Sequence, residues 1–455
     1  MGTQIGGRQV EVGIGIETTA GTPVAAANYF KWDIFTMQAN SDKTLLKSAR
    51  GIRNKNSNSL ILKQYGKGTL EFMPTVDMLP YIMGMTLGSR SSSTHSGESA
   101  VYDHTFTVQN ANASMKSATL YVKQGGIQTE RYTNCVVESM ELMIEKDLAK
   151  CKVGIIGQFP STGSVASAYT QDTLFSRNQM TATFGTSIAN ATSTKASSTF
   201  TSTGTAANLE TLTIGNQVYT LVTALSNNGY TPYEILIGAA ATNTLDNIRS
   251  AINGLAGAGT TYGIGTNANT QVIATTKTAT TLLVTAIVGG VAGNSIATTK
   301  TTANFAWTGA TLASGAGNNA TPLVAFTLNI NNNVLMDEAF LSGSSQPVSG
   351  GFIAGPLEIK GTYTLQFTDL VEYGKYQQNT NSALVVSIVG ASLGTVPTQE
   401  LIQIKLGRLV LTKAPVEYQL DGIMLLKQDF DILYDATDKE ITVLIQNGYV
   451  GTNYQ

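Results

Sequence analysis

In Val136-Val137-Glu138-Ser139-Met140-Glu141-Leu142-Met143-Ile144-Glu145 polar and apolar side chains largely alternate, and after a short charged turn the chain resumes as Cys151-Lys152-Val153-Gly154-Ile155-Ile156-Gly157-Gln158. A period of two is the pleat of a β-strand, and two such runs around a tight turn make a long antiparallel pair. Val137, Ser139, Glu141, Met143 and Glu145 share one semi-polar face with two acids. Near the other end of the chain Lys427, Asp429, Asp431 and Asp435 follow the same period.

The neighbouring sequence is of the same kind. Val10, Val12, Ile14 and Ile16 alternate with Glu11, Gly13, Gly15 and Glu17, a strand with one apolar face in an N-terminal arm that Thr22-Pro23 breaks. Residues 40–58 are polar, carry Lys43, Lys47, Arg50, Arg53 and Lys55, and read as a long functional loop. Strands are expected at 59–65, 68–72, 102–108 and 118–123. Asp77 is expected to cap a short helix whose inner face is Met78, Leu79, Ile82 and Met83, with Pro80 in its first turn, and Gly88 to open a Ser-rich loop.

The second half follows the same plan. Thr364-Leu365-Gln366-Phe367 matches Thr69-Leu70-Glu71-Phe72, each is followed by a capping acid (Asp369, Asp77), and each half closes with a long strand, an acidic turn and an apolar strand. The order and spacing imply a duplicated domain, 1–160 and 161–195 plus 316–455. Residues 196–315, dominated by Thr, Ala, Gly, Ser and Asn, read as a small α+β domain inserted into a loop. Its signals are a hairpin across Gly215-Asn216, an Asn243/Asp246 pair opening a helix with Leu245, Ile248, Ile252 and Leu255 on one face, and two further strands. The flanks 187–205 and 313–320 read as linkers.

Composition narrows the function. A chain of 455 residues exceeds one ordinary core, and its 13% of charged residues is about half the usual globular share. Small residues and few charges suit a mainly β protein whose surfaces meet other protein. A net charge of −2 argues against nucleic-acid binding by attraction. No apolar run is long enough to span a bilayer, and the first residues lack a signal-peptide pattern, so folding in a cytoplasm is expected, with Cys135 and Cys151 as reduced thiols. His95 and His104 read as surface or strand-edge residues. No metalloprotease, Walker, Cys-x-x-Cys or Gly-x-Ser-x-Gly motif occurs, so no enzyme, metal or cofactor is expected.

The ordered set Gly15-Ile16-Glu17-Thr18-Thr19-Ala20-Gly21-Thr22-Pro23-Val24, Ala49-Arg50-Gly51-Ile52-Arg53, Thr69-Leu70-Glu71-Phe72 and Cys135-Val136-Val137-Glu138-Ser139-Met140 resembles the tail tube (major tail protein) family of long-tailed bacteriophages. Gly355-Pro356-Leu357 through Phe367-Thr368-Asp369 and Val443-Leu444-Ile445-Gln446-Asn447 extend the likeness. The insertion, through Thr211-Leu212-Thr213-Ile214-Gly215-Asn216 and Gly293-Asn294-Ser295-Ile296-Ala297, resembles a module of other phage virion proteins. The resemblance implies a β-sandwich or half-barrel with short flanking helices, whose copies join into stacked rings forming a virion conduit for DNA ejection. It implies assembly in the bacterial host cytoplasm, contacts with tape measure, tip and terminator proteins, DNA only in transit and no membrane insertion. With two domains per chain, three chains would make a pseudo-sixfold ring; a hexamer is the alternative. Glu141, Glu145, Lys427, Asp429 and Asp431 are then the expected lumen-facing residues, as a negative lining that repels phosphate. Val10, Val12, Ile14, Ile16, Lys47, Arg50 and Arg53 are the expected inter-ring contacts. A β-rich surface adhesin that binds carbohydrate is the competing reading, and a tail-associated glycan hydrolase the third.

Overall fold

The run at 136–158 forms the middle of the molecule, and strands from both halves of the chain are added on either side of it. The computed structural model describes residues 6–454 apart from 48–55, 96–98, 111–114, 126, 146–147, 165–168, 170–173, 192–193, 319–320, 341–343, 349, 368–369, 394–397 and 418–422. It is mainly β. The first half holds β1 (Val10–Ile16), β2 (Gln38–Lys47), β3 (Asn56–Phe72), α1 (Leu79–Leu87), β4 (Gly88–Thr94), β5 (Tyr102–Val108), β6 (Ala118–Gln124), β7 (Gln128–Glu145) and β8 (Ala149–Gln158), and β9 (Met180–Gly185) belongs with the second half. A middle unit holds β10 (Ser197–Ser202), β11 (Glu210–Ile214), β12 (Gln217–Val222), β13 (Glu234–Leu236), α2 (Ala241–Asn253), β14 (Val272–Lys277), β15 (Thr281–Ala286), β16 (Thr298–Lys300) and β17 (Phe305–Trp307). The second half holds β18 (Ala325–Asn331), β19 (Glu358–Gln366), α3 (Val371–Gln377), β20 (Ser382–Leu393), β21 (Thr398–Lys413), β22 (Leu425–Ile432) and β23 (Ile441–Asn447).

Two long strands organise the pairing. The N-terminal half of β7 pairs with β6, and its C-terminal half is flanked by β8 on one edge and β18 on the other. On β21, β20 occupies one edge, while β23 and β22 lie end to end along the other. A continuous antiparallel path results: β2, β3, β8, β7, β18, β19, β22, β21, β20, β9. A branch runs from β21 through β23 to β5 and β4. The halves are thus stitched twice, at β7–β18 and at β5–β23, and one hydrophobic core takes residues from both, including Leu142, Phe326, Tyr363, Phe430, Ile404, Val443 and Phe106. Each such burial is worth roughly 1.5–3 kcal/mol, so the two seams carry much of the stability. Gly361 lets this core close, since a Cβ there would sit 2.4 Å from the Phe430 ring and 2.4 Å from the Thr327 carbonyl oxygen.

Two buried polar groups show how the interior is satisfied. At β5–β23, His104 is fully buried. Its Nε2 lies 3.0 Å from both Asn447 Oδ1 and the Tyr449 carbonyl oxygen, two acceptors, so it carries the proton, and Nδ1 accepts from Ser92 Oγ at 2.8 Å. Asn447 in turn donates to the Val76 carbonyl and to Tyr454 Oη. Glu17, at the end of β1, is 5% exposed, and its carboxylate accepts from Gly21 N, Ser117 Oγ, Thr119 Oγ1 and Asn134 N at 2.7–2.9 Å. Four donors offset the desolvation of that charge and pin the N-terminal segment to β6 and β7.

Several sequence expectations change here. β1 is an interior strand between Asn28–Phe30 and β6, with Val12 and Ile14 fully buried, because its apolar face is needed by the core of its own chain. Residues 59–72 are one strand, and of the expected loop at 40–58, residues 40–47 and 56–58 are paired strand in β2 and β3. The Ser-rich stretch after Gly88 is strand β4, because pairing with β5 satisfies its backbone whatever its side-chain propensity. α1 starts at Leu79 with Met78 at its N-cap position, and Thr75 Oγ1 and the Thr75 carbonyl oxygen accept from Met78 N and Leu79 N. Asp369 lies outside the described residues. His104 is a core residue. The parallel drawn between the two chain ends stops at their last strands: β7 and β8 pair with each other, whereas β22 and β23 each pair with β21.

The middle unit has its own core, with Phe200, Leu212, Tyr219, Leu245, Ile248, Ile252, Val284 and Phe305. The chain enters and leaves it side by side, Thr194 N donating to the Ala316 carbonyl and Ser197 pairing with Ala313. Its sheets are β14–β15–β10–β17 and β13–β12–β11–β16. α2 starts at Ala241, two residues before Asn243, and ends at Gly254, whose φ of 63° is the left-handed cap. Residues 197–202, expected as linker, are strand β10, and Leu255 is exposed.

Candidate assembly surfaces

Two surfaces stand out. The first is the outer half of the β2–β3 hairpin. Its base is held by the loop after β18: Gln64 N donates to the Ser345 carbonyl, Lys63 Nζ meets Asp337 Oδ1 at 2.5 Å and lies 5.2 Å from the Phe340 ring centre. Beyond Lys63, Leu60, Ile61 and Leu62 on β3 and Leu45 and Leu46 on β2 are all about half exposed. Because side chains alternate, consecutive apolar residues put apolar surface on both faces of the ribbon. Such a pattern belongs to strands buried on both sides, yet here neither face is covered. β2 has β3 as its one paired neighbour among the described residues. Lys47 ends β2 in the open, while Arg50 and Arg53 lie outside the described residues.

The second surface is the polar face of the long sheet. Register places Glu71, Lys152, Glu141, Asn329, Lys360, Asp431 and Val410 in one row across seven strands. A second row runs Lys150, Met143, Thr327, Thr362, Asp429, Lys413, and a third Glu145, Ala325, Thr364, Lys427. Glu141, Glu145, Lys427, Asp429 and Asp431, residues up to 290 positions apart in the chain (431 − 141 = 290), therefore share one face. Their joint position follows from the β7–β18–β19–β22 order. Asp435 does not join them: it sits in the turn after β22, where the backbone N–H groups of Asp438 and Thr437 hold its carboxyl below the usual range.

The face is of mixed charge, which corrects the expectation of a negative lining. Lys67 pairs with Glu138 at 2.9 Å, Lys150 with Glu71 at 3.5 Å and Lys360 with Glu358 at 3.5 Å, and Thr362 Oγ1 donates to Asp429 Oδ1 at 2.9 Å. Alternating signs cancel within a Debye length of roughly 8–10 Å, leaving a hydrated, near-neutral wall. Val12 and Ile14 are buried in the core of their own chain, and Val10 and Ile16 are partly buried against it.

Among the described residues no three His, Cys, Asp or Glu side chains gather as a metal site, and no helix is long and apolar enough to cross a membrane. Cys135 and Cys151 are free and buried, and burial pushes both thiols up. Leu45-Leu46 was the signal for the hairpin: two adjacent apolar residues within 40–58 fit a strand better than a polar loop. No protein-family model matches the chain, and no curated protein matches its sequence.

Proposed function

We propose that this chain is a structural subunit that polymerises with itself into stacked rings, the tail tube of a long-tailed bacteriophage, through which DNA leaves the virion. The observation that carries the reading is the β2–β3 hairpin with uncovered apolar side chains on both faces. A long exposed edge of this kind is an aggregation hazard in a monomer and an interface in an ordered assembly. Five such side chains, once covered, offer roughly 1.5–3 kcal/mol each before the cost of ordering. The long sheet supplies the wall, and its mixed-charge face suits a bore that neither grips nor repels a passing polyanion.

Strand spacing favours three chains per ring. Ten strands per chain at ~4.8 Å, tilted by ~40°, give a barrel roughly 60 Å across for three chains and roughly 120 Å for six. The narrower one is closer to the width of a nucleic-acid duplex. Halves that are related but fused into one sheet would then supply a pseudo-sixfold ring, and the middle unit would project as an inserted domain. Negative-stain microscopy of concentrated purified protein tests the proposal: hollow rods or rings are expected, and a chain that stays monomeric at every concentration and salt would sink it.

A further inference from the structure

The middle unit carries a cleft that the tube reading does not use. It measures about 360 Å³ and is lined by Asn216, Gln217, Tyr233, Asn267, Ala268, Asn269, Thr270 and Gln271. That volume lies within the range of small-ligand sites, roughly 300–1,000 Å³. Five carboxamides, the Thr270 hydroxyl and the Tyr233 phenol line it, and no carboxylate, lysine or arginine does.

Two of its amides, those of Asn269 and Gln271, are held in place. Asn269 is 8% exposed; its Oδ1 accepts from Gln271 N at 2.9 Å and Val272 N at 3.1 Å, and its Nδ2 donates to Tyr219 Oη at 3.4 Å. Gln271 Oε1 accepts from Asn216 N at 3.2 Å, across the β11–β12 turn. Gly215, at φ 59°, makes that contact possible, since a Cβ there would overlap Gln271 Oε1. Tyr233 holds the left-handed φ of 63°, a conformation a bulky residue adopts at a cost of roughly 1–3 kcal/mol. Its N–H donates to Thr266 Oγ1 at 2.8 Å and its ring meets that of Tyr219 edge-on at 6.0 Å. Strain accepted to present an aromatic ring, beside amides already oriented, is the preorganisation that binding rewards.

We propose that this cleft binds a neutral carbohydrate. A carboxamide offers a donor and an acceptor side by side, and a sugar hydroxyl both gives and takes a hydrogen bond, so a row of amides matches adjacent hydroxyls. The Tyr233 ring offers an apolar face for the C–H side of a pyranose. A charged sugar would bury its charge without a partner there.

Saturation-transfer NMR on the full chain tests this, with maltotriose, chitotriose and galactobiose as neutral probes and sialyllactose as the charged comparator. Transfer from at least one neutral probe is expected at millimolar concentration. Asn267→Trp, which fills the cleft from an exposed position, should weaken it about tenfold, and Thr278→Trp, on the tip between β14 and β15, should not. Unchanged melting of both variants shows that they fold. No transfer from any neutral probe, equal binding by Asn267→Trp, or preference for sialyllactose would overturn the proposal; tube formation is independent of every outcome.

Discussion

Single residues in this protein are governed by whether buried polar atoms find partners. Glu17 has four donors, so Glu17→Gln would turn an amide N–H₂ toward groups that themselves donate. A loss of about 1–3 kcal/mol is expected in denaturant titration. Tyr363 is the opposite case: its ring is fully buried and its hydroxyl has no partner among the described residues, with burial pushing its pKa well up. Tyr363→Phe should leave stability unchanged or raise it by about 1 kcal/mol, and a clear loss would reveal a partner for the hydroxyl. His104 sets a pH dependence. Burial first, and the nearby Arg90 guanidinium as well, hold its pKa below 6.5 in the fold. The unfolded state therefore binds the proton more readily. Its contribution to stability is complete above about pH 6.5 and declines as pH falls toward the lower folded value. Melting curves between pH 7.5 and 5 should show this slope, and His104→Asn should flatten it.

At the scale of elements, the β2–β3 hairpin separates folding from assembly. Its base is tied to the chain through Lys63, Gln64 and Tyr65, whereas its outer leucines touch none of the main core. Leu45→Asp with Ile61→Asp should leave the melting temperature within a few degrees of the parent and abolish rods in the microscope. Rods that persist would move the interface elsewhere. Helix α1 contrasts with this ribbon: nearly all of its side chains are buried, so Met83→Asp would unfold everything outside the middle unit and not test assembly at all.

At the scale of the molecule, the double stitching of the halves predicts a single cooperative transition for everything outside the middle unit. The middle unit, with its own core and adjacent entry and exit, should melt apart from it. Calorimetry should give two transitions, and deletion of 196–312 with a short bridge should remove one of them and leave rods intact. Rings with threefold symmetry are expected in class averages, and strict sixfold symmetry at the mass of six chains would contradict the spacing argument above.

The sequence by itself determined the class of structure and many strand positions, because a period of two is local: β1, β5, β6, β8, β11, β12, β22 and β23 rest on side chains a few residues apart. It also determined that Glu141, Glu145, Asp429 and Asp431 lie on polar strand faces. Only the tertiary structure decided which strands are neighbours. Glu141 meets Asp431 on one wall because β18 and β19 intervene, β1 is interior because β6 and Asn28–Phe30 close over it, and serines form β4 because β5 offers it an edge. Pairing across hundreds of residues is a property of backbone groups that every residue carries alike, so side-chain pattern marks a strand but not its partner. Burial is decided at that same step, which is why the charge of the sheet face and the exposure of Leu60-Ile61-Leu62 became readable once the chain was folded.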